Sequence, residues 1–292
     1  MSDSIQELKY HRPLLGYQKE MVWRSALSGP ALIDRRITQL IDDARQSKDS
    51  LVSIDFSSYD TSLKFNLQKA SFDYIKAKFQ QRYHSEIDSL FERFNTIELV
   101  TPDGIWSGRH GVPSGSTFTN EVDSIAQYLV AKTVLKEESF DIQGDDGAYV
   151  VPTHSVDGLK EAFRQAGLNV NEEKSYIKDD SFVYLQNLFS PKYRLSNGII
   201  GGIYPTYRAL NRLVYQERFD GFVEYGLDGR DYYSIRAISI LENCKHHPLH
   251  SELVRFVYGL DKYKLEFSES GLNAFSRMKR DQSGTDDIFM NQ

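Results

Sequence analysis

The hydrophobic positions of the chain follow two periods that take turns along its length. Within residues 28–50, Leu32, Ile33, Arg36, Ile37, Leu40 and Ile41 recur at helical spacing before the polar run Asp42-Asp43-Ala44-Arg45-Gln46-Ser47-Lys48-Asp49, which predicts a helix and then a surface turn. Leu51-Val52-Ser53-Ile54 is a short β-prone run that ends at Asp55, and a helix with one internal break is predicted over 62–94. Residues 97–109 read as a hairpin turning at Thr101-Pro102-Asp103-Gly104. After it, Val122, Ile125, Ala126, Leu129 and Val130 mark an amphipathic helix started by Thr119 or a neighbour. A second hairpin pairs Phe140-Asp141-Ile142-Gln143 with Ala148-Tyr149-Val150-Val151 around Gly144-Asp145-Asp146-Gly147. A helix over 156–166 closed by Gly167 and a strand over 182–185 follow. Beyond residue 205 the pattern is mainly helical and rich in tyrosine, and it frays from 277. Mixed helices and hairpins predict an α+β fold with an antiparallel sheet.

Composition narrows the function classes. With 40% hydrophobic and 13% aromatic residues in 292, the chain has enough apolar material for one sizeable core or two modest subdomains and does not read as disordered. No stretch approaches the roughly 18 uncharged apolar residues of a membrane span, and the polar opening does not read as a signal peptide. The single cysteine, Cys244, excludes an internal disulfide and suits a reducing compartment. The formal charge of −6 has the wrong sign for a protein that coats nucleic acid by electrostatics alone. Neither repeats nor low-complexity tracts are apparent.

Three groups of residues could carry chemistry, and each has an ordinary structural role to set beside it. Gly144-Asp145-Asp146-Gly147 is a favourable turn, but a carboxylate on a rigid hairpin tip is also a hard-oxygen ligand for Mg²⁺ or Mn²⁺. Asp55, at the end of an apolar strand, could cap a helix or supply a second acid to that ligand set, and Asp60 follows five residues later. Gly111-Val112-Pro113-Ser114-Gly115-Ser116-Thr117-Phe118-Thr119-Asn120 is rich in small hydroxyls before a helix. It lacks the lysine and spacing of a P-loop. Cys244 with His246, His247 and His250 imitates a zinc site without a matching second pair and is set aside.

Taken in order, Asp-x4-Asp, Ser-Gly-x3-Thr-Asn and Gly-Asp-Asp at a hairpin tip, with Lys174 after the next helix, form a pattern that resembles the palm of viral RNA-dependent RNA polymerases, motifs A to D. The wording Gly111-Val112-Pro113-Ser114-Gly115, Gln143-Gly144-Asp145-Asp146-Gly147 and Tyr184-Leu185-Gln186-Asn187 is similar to that of the picobirnavirus and partitivirus group, small segmented double-stranded RNA viruses. The resemblance spans residues 9–219, with its core at 51–190. It implies a right-hand architecture: a fingers remnant over 1–50, a palm with motifs A to E and an inserted fingers segment over 51–190, a thumb-like helical region over 191–276 and a flexible tail over 277–292.

What the resemblance implies for the site is specific. Asp55 and Asp145 would be the main ligands of two Mg²⁺ or Mn²⁺ ions, and Asp146 a secondary ligand. Asp60, Thr119, Asn120 and Asp123 would form the ribose pocket, and Ser114 and Gly115 the loop supporting the template and incoming base. Lys174 would protonate pyrophosphate, and residues 184–189 would form the motif E hairpin. Lys9 and Arg12 match the tail of a basic triphosphate-binding motif, whose larger fingers region has no counterpart in the 54 residues before Asp55.

The implied partners are an RNA template and nascent strand, ribonucleoside triphosphates, and a viral capsid protein or a separate fingers-bearing chain. The implied place is the host cytoplasm, inside the virus particle, with no membrane. The rival readings are a palm fragment inactive without its fingers, a reverse transcriptase, which Asp60 and Gly144 disfavour, and a structural protein with chance carboxylates. In residues 191–292, Tyr204, Tyr207, Tyr215, Phe219, Phe222 and Tyr225 are expected to pack a core rather than stack bases.

Overall fold

The structure, a computed structural model, describes residues 2–216 and 221–283. The chain divides into two compact units, Met1–Leu185 and Gln186–Gln292. In the first, α1 (Ser2–Gln18) and α2 (Pro30–Ser47) precede strand β1 (Ser50–Ile54). Then come α3 (Tyr59–Ser62), α4 (Phe65–Lys76), α5 (His84–Thr96), the small ribbon β2 (Leu99–Thr101) and β3 (Gly104–Trp106), and α6 (Thr119–Ala131). The hairpin β4 (Phe140–Gln143) and β5 (Asp146–Val151), helix α7 (Val156–Gln165), β6 (Tyr176–Lys178) and β7 (Phe182–Tyr184) complete the unit.

The principal sheet has the order β4-β5-β1-β6, and each neighbouring pair is antiparallel. Every residue of β1 is buried, as are five of the six in β5, because helices cover both faces of the sheet. Helix α2 meets it through Ile37, Leu40, Ile41 and Ala44, a stripe at i, i+3, i+4 and i+7. Phe163 of α7 sets its ring edge-on to Tyr149 of β5 and to Phe56, with centroids 6.0 and 5.1 Å apart. The free edge of β4 is occupied by the connection after α1: Ile142 donates its amide to the Trp23 carbonyl at 2.9 Å. The long helix predicted over 62–94 is interrupted between α4 and α5, as the pattern required.

In the second unit β8 (Asn187–Phe189) is followed by α8 (Thr206–Val214), α9 (Gly229–Glu242), α10 (His250–Leu260) and α11 (Glu269–Ser283). Helix α9 packs against the other three, and Asp228 caps it by accepting the Asp231 amide at 2.8 Å. Tyr204 is buried, and Phe222 and Tyr225 pack beside Leu227 and Tyr232, as a core requires. Tyr207 and Tyr215 do not: each is 70% exposed, Tyr207 on α8, of which only Ala209 is buried, and Tyr215 just past its end. Phe219 lies outside the described residues. From 277, where fraying is expected, α11 continues through Ser283; residues 284–292 lie outside the described residues. Among the described residues no helix is long and apolar enough to cross a membrane.

Candidate active site

The sheet topology brings the acids together. β1 and β5 are antiparallel with Ile54 opposite Gly147, so Asp55 leaves β1 beside Asp146 as it enters β5. Gln143 and Asp146 oppose each other across the hairpin, which leaves Gly144 and Asp145 as its two-residue tip. Gly144 has φ +61°, a left-handed value that a side chain disfavours, and a Cβ there would stand 3.2 Å from Asn120 Nδ2. Two acidic segments, from strands adjacent in space and about ninety residues apart in sequence, therefore share one end of the sheet.

Their electrostatics show the crowding. The Asp145 carboxyl stands above the ordinary aspartate range. The chain around the hairpin tip strips it of water, though the residue as a whole is exposed, and Asp60 and Asp55 face it with like charge. Asp123, on α6, is almost wholly buried and pushed up to about 8, first by burial and then by Asp60 and Asp145. Its Oδ1 has no hydrogen-bond partner. Because the folded value lies above the ordinary one near 3.9, this group's favourable share of stability is complete below about pH 4 and is lost as pH rises through about 8. In chelator, Asp123→Asn is therefore expected to melt about 5 °C or more above the wild type at pH 8, with the gap closing toward pH 4. Equal melting temperatures at pH 8 would contradict this.

The loop and helix of the third group close around Asp60. Ser114 Oγ donates to Asp60 Oδ2 at 2.8 Å, and the Val112 amide donates to the Asp60 carbonyl at the same distance. Between the two motif A acids, Ser58 takes φ +53°, a left-handed conformation unusual for serine. The Thr119 hydroxyl donates to the carbonyls of Pro113 and Ser116 and so ties the loop to the start of α6. Asn120 is not a helix cap: its Oδ1 accepts from Gln143 Nε2 at 2.9 Å and from Arg24 Nη2 at 3.3 Å. Gly115 is exposed, with nothing within 4 Å of where a Cβ would stand.

Lys174 is exposed on the turn after α7. That turn is fastened to Asp55, whose carbonyl accepts the Asn171 amide at 2.9 Å and whose amide donates to Ser175 Oγ at 3.4 Å. The Lys9 ammonium pairs with Glu86 of α5 at 2.5 Å. Arg12 is exposed on the same helix, α1.

Several residues that sequence reasoning passed over hold this arrangement. Glu7 of α1 accepts from Ser116 Oγ at 2.7 Å and from the Thr117 amide at 2.8 Å, which pins the loop before α6. Gln127 donates to the Gly144 carbonyl at 3.1 Å, and Ser124 Oγ accepts the Gly144 amide at 2.7 Å. Glu7→Ala is expected to leave the core intact and loosen this loop, read as faster amide exchange at Ser116 and Thr117 with an unchanged rate at β1. Equal exchange in the variant and the wild type would contradict it.

Among the described residues, no three His, Cys, Asp or Glu side chains are assembled into a finished metal cage, around Cys244 or elsewhere. The acid pair nevertheless suits Mg²⁺ or Mn²⁺. Mg²⁺ in particular is held by one or two carboxylates together with substrate phosphates, and here the like charge of Asp60 and Asp55 bears on Asp145, where a divalent charge would relieve it.

Comparison with known proteins agrees with this geometry. Residues 29–200 match the family model of the viral RNA-dependent RNA polymerase. A potential RNA-dependent RNA polymerase of a human picobirnavirus (strain Human/Thailand/Hy005102/-) is 29% identical over 276 residues, which are 90% of this chain and 50% of that protein. Crystal structures of a human picobirnavirus RNA-dependent RNA polymerase, and of its insertion-loop deletion mutant, each superpose with a TM-score of 0.80 at 28% identity. They cover 99% and 97% of this chain, and 55% and 56% of theirs. The chain thus spans about half the length of the relatives it matches. Its acids, its antiparallel sheet and these likenesses place it in the viral RNA-dependent RNA polymerase family.

Proposed function

We propose that this chain carries the catalytic centre of template-directed RNA synthesis for a viral RNA genome. The observation that carries the reading is the meeting of Asp55 with Asp145 and Asp146 at one end of the sheet, with Asp60 and Asn120 alongside. Asp55 and Asp145 would hold two Mg²⁺ or Mn²⁺ ions, with Asp146 assisting. When bound, those ions would neutralise the triphosphate and render the primer 3′-OH nucleophilic. The substrates are ribonucleoside triphosphates, an RNA template and its nascent strand. The setting is the host cytoplasm inside the particle, where a capsid protein or a fingers-bearing chain is the natural neighbour.

The protein's own groups divide the remaining work. Asp60 keeps one carboxylate oxygen engaged by Ser114 and can accept the proton of a ribose 2′-OH with the other, while Asn120 can donate its amide to the same hydroxyl. A site built around a hydroxyl rejects the deoxy analogue, because its polar groups are then left unpaired. Asp123, orphaned behind them, adds a further acceptor or donor according to its protonation. Ser114 and Gly115 support the template and incoming base, and Lys9 and Arg12, which match the tail of a basic triphosphate-binding motif, would contact the triphosphate.

Lys174 would deliver a proton, or only its charge, to the departing pyrophosphate. Lys174→Ala is expected to slow turnover about a hundredfold with little change in nucleotide KM. Lys174→Arg, which keeps the charge but holds its proton, should recover only the electrostatic share. An alanine variant that turns over normally would remove Lys174 from the chemistry. The reading as a whole is tested with a primed RNA template in Mn²⁺. Extension by the complementary ribonucleotide alone supports it, and extension indifferent to the template overturns it.

A further inference from the structure

Arg24 lies outside the segment matched by the family model, yet it is one of the most completely buried side chains of the first unit, with no exposed surface. A guanidinium is rarely buried unless it is paired. This one faces the carboxylate of Glu121, itself 2% exposed, with Nη2 at 3.0 and 3.1 Å from the two oxygens. The same Nη2 reaches Asn120 Oδ1 at 3.3 Å, and Nη1 donates to Ser124 Oγ. Ser124 Oγ in turn receives the amide of Gly144, the residue before Asp145.

The chemistry of the partners fixes an orientation. An arginine has five donors and no acceptor, so only the carbonyl end of the Asn120 amide can face it. Gln143 donates to that same oxygen at 2.9 Å. The amide NH₂ of Asn120 is thereby turned toward the hairpin tip, where a Cβ on Gly144 would come within 3.2 Å of it. Without the guanidinium one of the two donors that set this choice is gone, and the amide is freer to flip and present an acceptor instead. The segment that carries Arg24 is itself held to the edge of β4 by the Trp23 carbonyl.

We propose that Arg24 is a positioning residue for sugar selection: it orients Asn120, and through Ser124 the Gly144 turn, so that a donor is presented to the nucleotide's 2′-OH. This rests on the polymerase reading above. The test compares the chain with Arg24→Lys and with the paired Arg24→Met/Glu121→Met on a primed cytidine template, measuring kcat and KM for GTP and for dGTP. Lysine keeps a positive charge beside Glu121 but lacks the fork that reaches Asn120 and Ser124 together. The double methionine variant removes both buried charges at similar volume, so neither is left uncompensated.

In both variants the ratio of kcat/KM for GTP over dGTP is expected to fall about ten- to a hundredfold, the scale of one charge-assisted hydrogen bond, mainly through KM for GTP. Added to Asn120→Ala, Arg24→Lys should lower the ratio little further, since both act through one amide. Arg24→Lys and the double variant slowing both sugars equally, with the ratio unchanged, would overturn the proposal and leave Arg24 a purely structural residue. Extension with GTP by the wild type shows that the polymerase reading stands whichever way the ratio moves. A wild type that extends with neither sugar overturns that reading, and this inference with it.

Discussion

Asp145→Ala and Asp55→Ala are each expected to lower nucleotide incorporation by about a thousandfold or more while the melting temperature in chelator stays the same or rises. The rate follows from the site: a carboxylate that fixes the charge facing a triphosphate acts where that charge changes most, and removing one such group typically costs about a hundred- to a thousandfold. Losing a metal position as well takes it further. The stability follows from the same contacts read in the free chain. Asp145 is held above the ordinary aspartate range by loss of water and by Asp60 and Asp55, so its charge there is a burden on the fold. Asp55 contributes its backbone, not its carboxylate, to the bonds that tie it to Asn171 and Ser175. Removing either carboxylate spares every one of those bonds. Thermal melts beside initial rates check the pair, and a variant that loses activity only in proportion to a lower melting temperature would contradict the account.

Gly111→Ala is expected to be the costliest single-methyl change near the site. A Cβ at Gly111 would stand 2.3 Å from the Asp60 carbonyl oxygen and 2.7 Å from Thr61 Cα. Both are backbone atoms, so no rotamer change relieves the clash, and the loop must separate from the segment that carries Asp60. That movement breaks the Val112 amide bond to Asp60 and withdraws Ser114 from its carboxylate. Overpacking of this kind costs about 1–3 kcal/mol, occasionally more. The displaced Asp60 adds a loss of ribonucleotide preference that the stability change alone does not explain. Gly115→Ala, four residues on in the same loop with open space around its Cβ, is the control and should melt like the wild type. Denaturant midpoints and GTP-over-dGTP ratios for the two variants check this. Equal midpoints for Gly111→Ala and Gly115→Ala would show that the loop tolerates what the geometry forbids.

Short-range pattern encodes the strand ends and turns, and these could be read from the chain alone. Leu51-Val52-Ser53-Ile54 before Asp55 is a short β-prone run, and the Gly144-Asp145 turn is flanked by β-prone residues, so local pattern places both acids at strand ends. That the two ends are the same end is a matter of register between β1 and β5, and local pattern is silent on it; the resemblance supplied it. Helix α1 escaped notice because Pro13 reads as a breaker, yet the helix runs through it to Gln18. Strand β6 has three residues, too few for a period to show.

The supporting side chains were hidden for a different reason. Glu7 and Arg24 act on partners 110 and 97 residues away, and nothing around either marks it as more than an ordinary charge. Conversely, density of aromatics was a poor guide to burial in the second unit, where Tyr207 and Tyr215 face outward while Tyr232 is buried. The surroundings of Asn120 were likewise out of reach of local pattern. The spacing named the residue, and its oxygen accepts from Gln143 and Arg24, donors too distant in the chain for local pattern to reveal.

One comparison tests the central claim most directly: labelled ribonucleotide incorporation on a primed RNA template with Mn²⁺, by the chain and by its Asp145→Ala variant, both shown to be folded. The account expects template-complementary extension by the first and none by the second. Equal extension by both, or none by either, would contradict it.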